Sequence, residues 1–525
     1  MSVFRERLDA LSPRPEEAGD RRWVFVPYDQ LTDAVGPLAR EDPDRVGIVL
    51  VETSWKPRRR AYHRQKLVSV LASLRHFALE QAARGVAVHH VAGEAGYGAL
   101  LEPVARARGG LCMMEAAERE LREELAPLVE AGLLEVLPNE TWMTRPALFE
   151  EVFQDGRAWR MDRFYRAVRK ETGILLDDAG EPEGGRWSFD VENRKRWPGE
   201  PEAPDPPRFE VDEVTAEVVD LVERVYDRHP GRIDAPSLAL RKEDAEALWS
   251  WALAECLPHF GPYEDAMSTA SAGLFHTRIS ALLNNGRLLP RRVVEDVLAL
   301  DVPLASREGF VRQVIGWREF VRHVHRATDG FRELGPERSF DVLGAEEPLP
   351  PAFWGEPSGL HCLDHVVAEV WRSGYGHHIT RLMVLSNLAT LVGVDPRALS
   401  EWFWVAYVDA YDWVVEPNVL GMGTFALGDL FTTKPYVSGA AYIDRMSDYC
   451  GGCRFSPKKD CPITSLYWDF LARHSEALEG NGRMALPLRS LEKRAPARRE
   501  HDARVRRWVV ETLREGRVLE PEDRP

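Results

Sequence analysis

The sequence predicts an α/β domain with a doubly wound parallel sheet, followed by an all-helical domain. Over residues 23–140, five short and nearly all-apolar runs alternate with helical patterns, as expected of strands buried on both faces. From about residue 236 the strand signals fade and helical patterns dominate. A chain of 525 residues exceeds one ordinary core, so we expect an α/β domain over 1–160, a linker over 161–235 and a helical domain over 236–525.

The parallel sheet follows from the β-α-β alternation of the N-terminal part. Between the second and third strand candidates, Leu67, Val70, Leu71 and Leu74 form the apolar stripe of one helix, and Gly85 ends it. Ligands of such folds bind at the carboxyl ends of the strands. The strand candidates are 23–27, 46–51, 86–91, 111–114 and 133–137.

The middle and the C-terminal half differ in composition. Residues 177–210 are rich in Gly, Pro, Asp and Glu without periodicity, which indicates a long surface connection. Tryptophan is concentrated in the C-terminal half. For any single tryptophan, the first explanation is that a large apolar side chain fills the core. Helices are expected at 241–257, 264–285, 306–326, 362–372, 376–392, 396–412 and 463–477.

The composition excludes several classes of protein. The formal net charge of −16 argues against a coat-like DNA binder, although it is compatible with a local basic patch. The chain has no uncharged apolar run of about 18 residues, so a membrane span is not expected. The N-terminal segment is charged and lacks the apolar stretch of a signal peptide, and we expect a cytoplasmic monomer.

Four of the six cysteines form a metal-binding pattern. Cys450 and Cys453 are separated by two glycines, Cys461 precedes a proline, and Cys362 lies upstream at the start of a predicted helix. Four thiolates suit zinc or a [4Fe–4S] cluster, and the Cys-Pro step is typical of ferredoxin-type ligation. Two nearby histidines are also possible zinc ligands, so a zinc site remains an alternative. Thiols that bind no metal are the third alternative. The remaining cysteines, expected as core thiols, are Cys112 and Cys256.

Several segments resemble the photolyase and cryptochrome family. FHTRISALLNNGRLLPRRVV is similar to its flavin-site stretch, VRQVIGWREFVRHVH to its Trp-Arg-Glu-Phe helix, and GYGHHITRLM with WFWVAYVDAYDWVVEPNVLGM to the segments that enclose the flavin ring. Three further segments resemble the iron–sulfur bacterial subgroup, the prokaryotic (6-4) photolyases and cryptochromes. They are MSDYCGGCRFSPKKDCPITSLYWDFLARH, GGRWSFDVENRK and the opening YDQLTDAV. This resemblance covers nearly the whole chain and favours the [4Fe–4S] cluster over zinc. The implied cluster ligands are Cys362, Cys450, Cys453 and Cys461.

The resemblance implies FAD as the cofactor and assigns residues to it. Arg381 and Asp409 are expected as an ion pair beside the flavin ring, and Asn418 near its reactive nitrogen. Trp354 and Trp402 are expected to carry electrons from solvent to the flavin. Phe403 follows Trp402 where some relatives have tyrosine, a departure within this relay. The other implied flavin contacts are Tyr263, Thr277, Arg278, Ile279, Ser280 and Arg318.

Two adjacent histidines are the candidates for acid catalysis. A histidine whose pKa is near neutrality can protonate a (6-4) lesion, and the resemblance favours His378 over His377. On a helix, we expect one of the two rings to face the cavity and the other to face away. Tyr436 is a candidate lesion contact. Basic residues that could neutralise DNA phosphates are Arg194, Lys195, Arg196, Lys434, Arg454, Lys458 and Lys459.

The resemblance implies light-driven repair of (6-4) photoproducts in UV-damaged DNA by electron transfer from reduced FAD. It also implies a 6,7-dimethyl-8-ribityllumazine antenna, with Asp29, Gln30 and Glu52 at predicted strand ends as its contacts. A blue-light photoreceptor of the same family without repair activity is the alternative, because both use the same flavin pocket. A zinc-stabilised helical scaffold without flavin is the third hypothesis.

Overall fold

The structure, a computed structural model, describes residues 2–12, 21–334 and 340–525. Its N-terminal part is built on a five-stranded, all-parallel sheet, so the predicted sheet is confirmed. The strands are β1 (Arg22–Phe25), β2 (Val46–Thr53), β3 (Ala87–Gly93), β4 (Leu111–Met114) and β5 (Leu134–Leu137). Their order is β3-β2-β1-β4-β5, which reverses direction between β1 and β4 and makes that edge the place where a ligand is expected.

The sheet is buried because its strands carry apolar residues on both faces. β2 is buried along all but its last residue, and Val24 of β1 is in register with Ile48 of β2. Gly47 allows the close approach of Trp23, since a Cβ at this position would lie 2.8 Å from the indole ring. The first long helix, Arg64–Ala83, ends before Gly85, whose φ is +93°.

Helices make up most of the described chain outside the sheet. Four π-helical segments, at Ala252–Cys256, Arg312–Arg318, Arg381–Ser386 and Pro417–Gly423, interrupt or extend α-helices of the C-terminal half. No helix among the described residues is both long and apolar enough to cross a bilayer. The α-helices are Val3–Leu11, Pro37–Arg40, Trp55–Arg59, Arg64–Ala83, Tyr97–Arg108, Arg119–Glu130, Pro146–Phe153, Met161–Thr172, Glu213–Val225, Lys242–Trp251, Leu257–Tyr263, Ser280–Asn284, Pro290–Leu298, Leu304–Val311, Glu319–Ala327, His361–Ser373, His378–Thr380, Asn387–Val392, Pro396–Ala406, Asp412–Glu416, Ala440–Met446, Pro462–Arg473, Ala485–Glu492 and Pro496–Arg514.

One predicted helix is wrong, and the segment expected as a linker contains helices. Of the predicted helix 264–285, only Ser280–Asn284 is helical. The preceding backbone turns irregularly because Leu274 and Arg278 adopt left-handed conformations, with φ of +42° and +58°. Residues 161–235 carry the helices Met161–Thr172 and Glu213–Val225 on either side of the irregular stretch.

The N-terminal sheet and the C-terminal helices share an apolar core. Trp413 packs in the same buried cluster as Val24 and Ile48. At the loop after β1, the amide of Leu31 donates to the carbonyl of Asn285 at 2.7 Å. This packing places the carboxyl ends of the strands against the helices that carry the candidate site.

Candidate functional site

A cavity of about 310 Å³ brings together three of the residues predicted to bind the cofactor. Arg278, Ser280 and Asp409 line it. The helix Arg64–Ala83 of the N-terminal part also reaches it, through Ser69. The remaining polar residues of its wall are Asp205, Arg208, Asp234, Ser237, Ser271, Arg372, Ser373 and Tyr375. The wall therefore offers both cationic and anionic groups, as a polar cofactor requires.

Asp409 is held in its ionised form at the wall of this cavity. One guanidinium nitrogen of Arg381 lies 3.1 and 3.0 Å from the two Asp409 carboxylate oxygens, and the Ser280 hydroxyl donates to the same carboxylate at 2.7 Å. Burial alone would raise the pKa of Asp409, but Arg381 and Ser280 outweigh it and hold that pKa below its ordinary value. The predicted ion pair is therefore present in the structure.

Arg278 presents a cation to the same cavity. Its guanidinium lies over the ring of Tyr375, 4.3 Å from the centroid. Gly273 is needed beside it, because a Cβ there would lie 2.7 Å from the guanidinium. A planar guanidinium binds phosphate oxygens through several N–H donors at once, so Arg278 suits an anionic part of a ligand.

The other predicted flavin contacts do not line the cavity. Thr277 and Ile279 are buried on either side of Arg278. Tyr263 donates to a backbone carbonyl at 3.4 Å, and Asn418 donates to a backbone carbonyl one turn earlier at 2.7 Å. Arg318 donates to the helix Ser280–Asn284, and burial lowers its pKa to about 10. Arg318 is thus linked to the cavity only through that helix.

A chain of aromatic rings runs from the surface to the Arg381–Asp409 pair. Trp354 is 49% exposed, and its ring stacks on Trp371 with centroids 5.5 Å apart. Trp371 meets the buried Trp402 edge-on at 6.0 Å, and Trp402 meets Tyr407 at 6.0 Å. The Arg381 guanidinium lies 3.9 Å from the Tyr407 centroid. The two predicted relay residues, Trp354 and Trp402, therefore belong to one connected set of rings.

Three histidine rings converge beside the same turn. His276 stacks on His377 at 4.5 Å and meets His378 edge-on at 5.4 Å. A ring nitrogen of each lies within 4.8 Å of those of the other two. The expectation that His377 and His378 face opposite ways is wrong, because the helix begins at His378 and both rings contact His276.

Only one of the three histidines favours a proton. Burial is the main cause that lowers the pKa of His276 and of His377 well below the ordinary value. His378 differs because its Nε2 lies 3.5 Å from Asp265 Oδ1, and its side chain is 48% exposed. Burial disfavours the charged ring, but the carboxylates of Asp265 and Glu264 outweigh it and raise the pKa of His378. His378 is therefore the member of the trio whose surroundings favour the protonated ring.

A positively charged surface adjoins the trio. Arg194 lies 3.8 Å from Asp265, the partner of His378. Arg194 and Arg483 both interact electrostatically with Lys434, whose pKa is lowered by burial and by these two cations. Tyr436 is half-buried beside the same arginines, and burial is the main cause that raises its pKa. The candidate lesion contact Tyr436 thus lies among groups of both signs, Arg194 and Arg483 together with Asp190 and Asp162.

The four predicted cluster ligands line one small apolar cavity. Burial raises the pKa of the Cys362, Cys450 and Cys461 thiols, to about 11 for Cys450 and about 12 for Cys461. Among the described residues, no three of these sulfurs lie within 4.8 Å of one another. Cys112 and Cys256, expected as core thiols, are buried elsewhere, Cys112 in β4 and Cys256 at the end of a π-helical segment.

The residues predicted to contact an antenna lie near strand ends, but two are held by protein partners. Gln30 donates to two backbone carbonyls, both at 3.1 Å. Glu52 accepts from Arg75 at 2.7 and 2.9 Å and lies 3.1 Å from His90; these partners outweigh burial and lower its pKa to about 2. Asp29 keeps a buried oxygen without a hydrogen-bond partner, and burial raises its pKa to about 7. Gln30 and Glu52 thus already have protein partners in this arrangement, and their role as antenna contacts stays a prediction.

Several residues of the site were not predicted from the sequence. His276 directly precedes the predicted Thr277 in FHTRIS, and this adjacency is the signal that could have found it. Trp371 belongs to the tryptophan-rich half, but no motif or spacing in the sequence distinguishes it from the other tryptophans there. The roles of Asp265, Tyr407 and Arg483 depend on contacts between segments that are distant in the chain, which one sequence does not show.

Comparison with known proteins identifies the family. A family model of deoxyribodipyrimidine photo-lyase-related proteins matches residues 24–238. The chain is 34% identical over 485 residues to a (6-4) photolyase of Agrobacterium fabrum, an alignment that covers 88% of this chain and 94% of the relative. The chain therefore belongs to the photolyase and cryptochrome family. Within it, the closer grouping is that of the prokaryotic (6-4) photolyases and the deoxyribodipyrimidine photo-lyase-related proteins.

Solved structures show the same fold. A bacterial class III photolyase from Agrobacterium tumefaciens gives a TM-score of 0.54 at 17% identity, over 94% of this chain and 98% of that one. A cryptochrome of Synechocystis gives a TM-score of 0.54 at 15% identity with the same coverage. The α/β domain followed by helices is thus a photolyase and cryptochrome fold. Membership of this family implies FAD as the cofactor and DNA as the class of substrate.

Proposed function

We propose that the protein repairs (6-4) photoproducts in UV-damaged DNA with the energy of light. The observation that carries this proposal is His378, a half-exposed histidine beside Asp265 whose pKa is raised, whereas burial lowers the pKa of its neighbours His276 and His377. It precedes Arg381 by one helical turn and pairs with Asp265, which also faces the basic surface at Arg194. Repair of this lesion needs a proton donor next to an electron donor, whereas a photoreceptor needs only the flavin pocket.

The cavity wall supports binding of FAD. Arg278 offers N–H donors to its phosphates, and Ser280 offers a hydroxyl near the same end of the helix. Asp409, kept ionised by Arg381, can accept a hydrogen bond from an N–H of the flavin ring. When bound, FAD supplies a light-absorbing one-electron donor. The protein groups fix its position and exclude water around it.

His378 acts as the general acid for the lesion. Its proton is held by the Asp265 carboxylate, which lies at hydrogen-bonding distance and stabilises the charged ring. The neutral His276 and His377 surround the donor without competing for that role. Tyr436 contacts the flipped-out bases, for which stacking on an aromatic ring is a common mode of recognition. Arg194, Lys434 and Arg483 neutralise backbone phosphates around the flipped site.

The four cysteines hold a [4Fe–4S] cluster. Zinc–sulfur bonds of about 2.3 Å would place four tetrahedral sulfurs about 3.8 Å apart, whereas no three of these sulfurs lie within 4.8 Å of one another in the described part of the chain. The wider spacing and the apolar surroundings favour a larger group that replaces the thiol protons. The cluster ties the helices His361–Ser373 and Pro462–Arg473 together, a structural role. A lumazine antenna stays a prediction that rests on the family resemblance, with the unpartnered buried oxygen of Asp29 as the one structural feature that supports it.

A repair assay tests this function. The purified protein, with its flavin chemically reduced, is mixed with an oligonucleotide that contains one (6-4) photoproduct, and intact bases are measured after blue light and after darkness. We expect repair in light only, and a loss of about 10²–10⁴-fold in His378→Ala, the range for removal of a general acid. His501→Ala, on the helix Pro496–Arg514, is the matched control and should keep full activity. A reduced wild-type protein that binds the DNA but leaves the lesion intact under light would favour the photoreceptor alternative.

A further inference from the structure

The two predicted relay residues are not in contact with each other. Among the ring contacts of the described residues, none joins Trp354 to Trp402. Phe403 touches Trp402 at 5.2 Å and stacks on Tyr407 at 5.4 Å, but a phenyl ring is much harder to oxidise than an indole. An electron path from the surface to Trp402 therefore needs another oxidisable ring.

Trp371 occupies the position between them. It is parallel to Trp354, with an interplanar angle of 16° at 5.5 Å, and perpendicular to Trp402 at 6.0 Å. The indole N–H groups of Trp371 and Trp402 both donate to the carbonyl of Phe353, each at 2.9 Å. Because Phe353 directly precedes Trp354, one short segment orients all three indoles. The shared carbonyl dipole also stabilises positive charge on either donor ring.

Within the part of the chain that the structure describes, no cation stacks on the Trp371 ring, so none opposes its oxidation in this way. His63 stacks on the indole at 5.7 Å, and its Nε2 contacts the carbonyls of Val370 and Trp371. Burial lowers the pKa of His63 to about 4, so this ring is neutral at physiological pH. His63 thus holds the indole in place without adding a charge.

We propose that Trp371 is the relay residue that carries electrons from Trp354 to Trp402 when the bound flavin is photoreduced. This inference rests on the proposed binding of FAD. Each passage moves one electron: Trp402 gives an electron to the light-excited oxidised flavin, Trp371 restores Trp402, and Trp354 restores Trp371. An external thiol then gives one electron to Trp354 at the surface and releases its proton to water, which leaves a thiyl radical. Two such radicals combine to a disulfide, so two thiols are oxidised for the two electrons of full flavin reduction.

The test follows photoreduction of the oxidised holoprotein in blue light with excess thiol and without oxygen. We expect the oxidised-flavin absorbance to disappear in the wild type, to persist in Trp371→Phe and to fall slowly in Trp354→Phe. Trp468→Phe is the matched control, since its ring contacts are confined to Tyr467 and Arg494. Transient absorption should show a long-lived tryptophan radical in the wild type and in Trp468→Phe, but a rapidly decaying one in Trp371→Phe.

Chemical reduction separates a relay role from a structural one. Flavin content and unfolding midpoint should match the wild type in Trp371→Phe, and dithionite-reduced Trp371→Phe should repair DNA at the wild-type rate. Photoreduction of Trp371→Phe at the wild-type rate would overturn the proposal, as would a wild type that cannot be photoreduced. If the fully reduced wild type leaves the lesion intact while Trp371→Phe still blocks photoreduction, the relay stands and the repair function fails.

Discussion

At the residue scale, neighbouring groups decide which of three equivalent rings carries a charge. His276, His377 and His378 have the same ordinary pKa, but burial lowers the pKa of the first two well below it, whereas Asp265 outweighs burial and raises the pKa of His378. The family resemblance favours His378, and His378 is the ring of the three whose pKa is raised. Asp265 could not be found from the sequence, because its role arises only when a distant irregular segment packs against the turn at His378.

The partnership of His378 and Asp265 predicts the pH dependence of repair. A raised pKa keeps His378 protonated above the ordinary histidine range, so repair by the reduced protein should be full at lower pH and fall as pH rises through that raised pKa. Asp265→Asn removes the charge that raises the pKa, and the fall should move to lower pH. The measurement is the initial repair rate against pH for both proteins, with the exposed Asp301→Asn as control. Superimposable profiles of Asp265→Asn and the wild type would contradict this assignment.

At the scale of single elements, π-helical turns place three predicted cofactor residues. Arg318, Arg381 and Asn418 each lie in one, and such turns are rare and often found at functional sites. Helical periodicity predicted continuous helices over 306–326 and 376–392, and these segments are helical. The extra residue of a π-turn rotates the following side chains, however, and a pattern of apolar spacing does not reveal it.

The cavity lined by the four cysteines leads to a prediction about Cys461 and the helix Pro462–Arg473 that follows it. Cys461 caps the helix Pro462–Arg473, and the resemblance assigns it to the cluster. Cys461→Ala should lower the iron and acid-labile sulfide recovered from purified protein and lower the midpoint of thermal unfolding. Cys112→Ala, which removes a buried thiol from β4, should leave iron and sulfide unchanged. Equal iron in both variants would exclude Cys461 as a ligand.

At the scale of the whole molecule, the sequence is sufficient to predict the fold. It is not sufficient to predict the aromatic chain or the cavity, which are formed by segments far apart in the sequence. Apolar runs such as Val46–Thr53 identify buried parallel strands, because few other structures require apolar residues on both faces. The aromatic chain from Trp354 to Tyr407 and the cavity between Ser69 and Asp409 depend on contacts between distant segments. The family resemblance assigns roles only to residues that lie in a matching motif, so it assigns no relay role to Trp371.

The presence of FAD in the cavity bounded by Arg278 and Asp409 is the claim on which repair, relay and proton transfer all depend. The most direct measurement is the cofactor content of the purified chain, by absorption of the intact protein and by chromatography of the material released on denaturation. We predict FAD in equimolar amount with the protein, together with acid-labile sulfide. A folded but colourless protein that releases neither flavin nor sulfide would contradict the account.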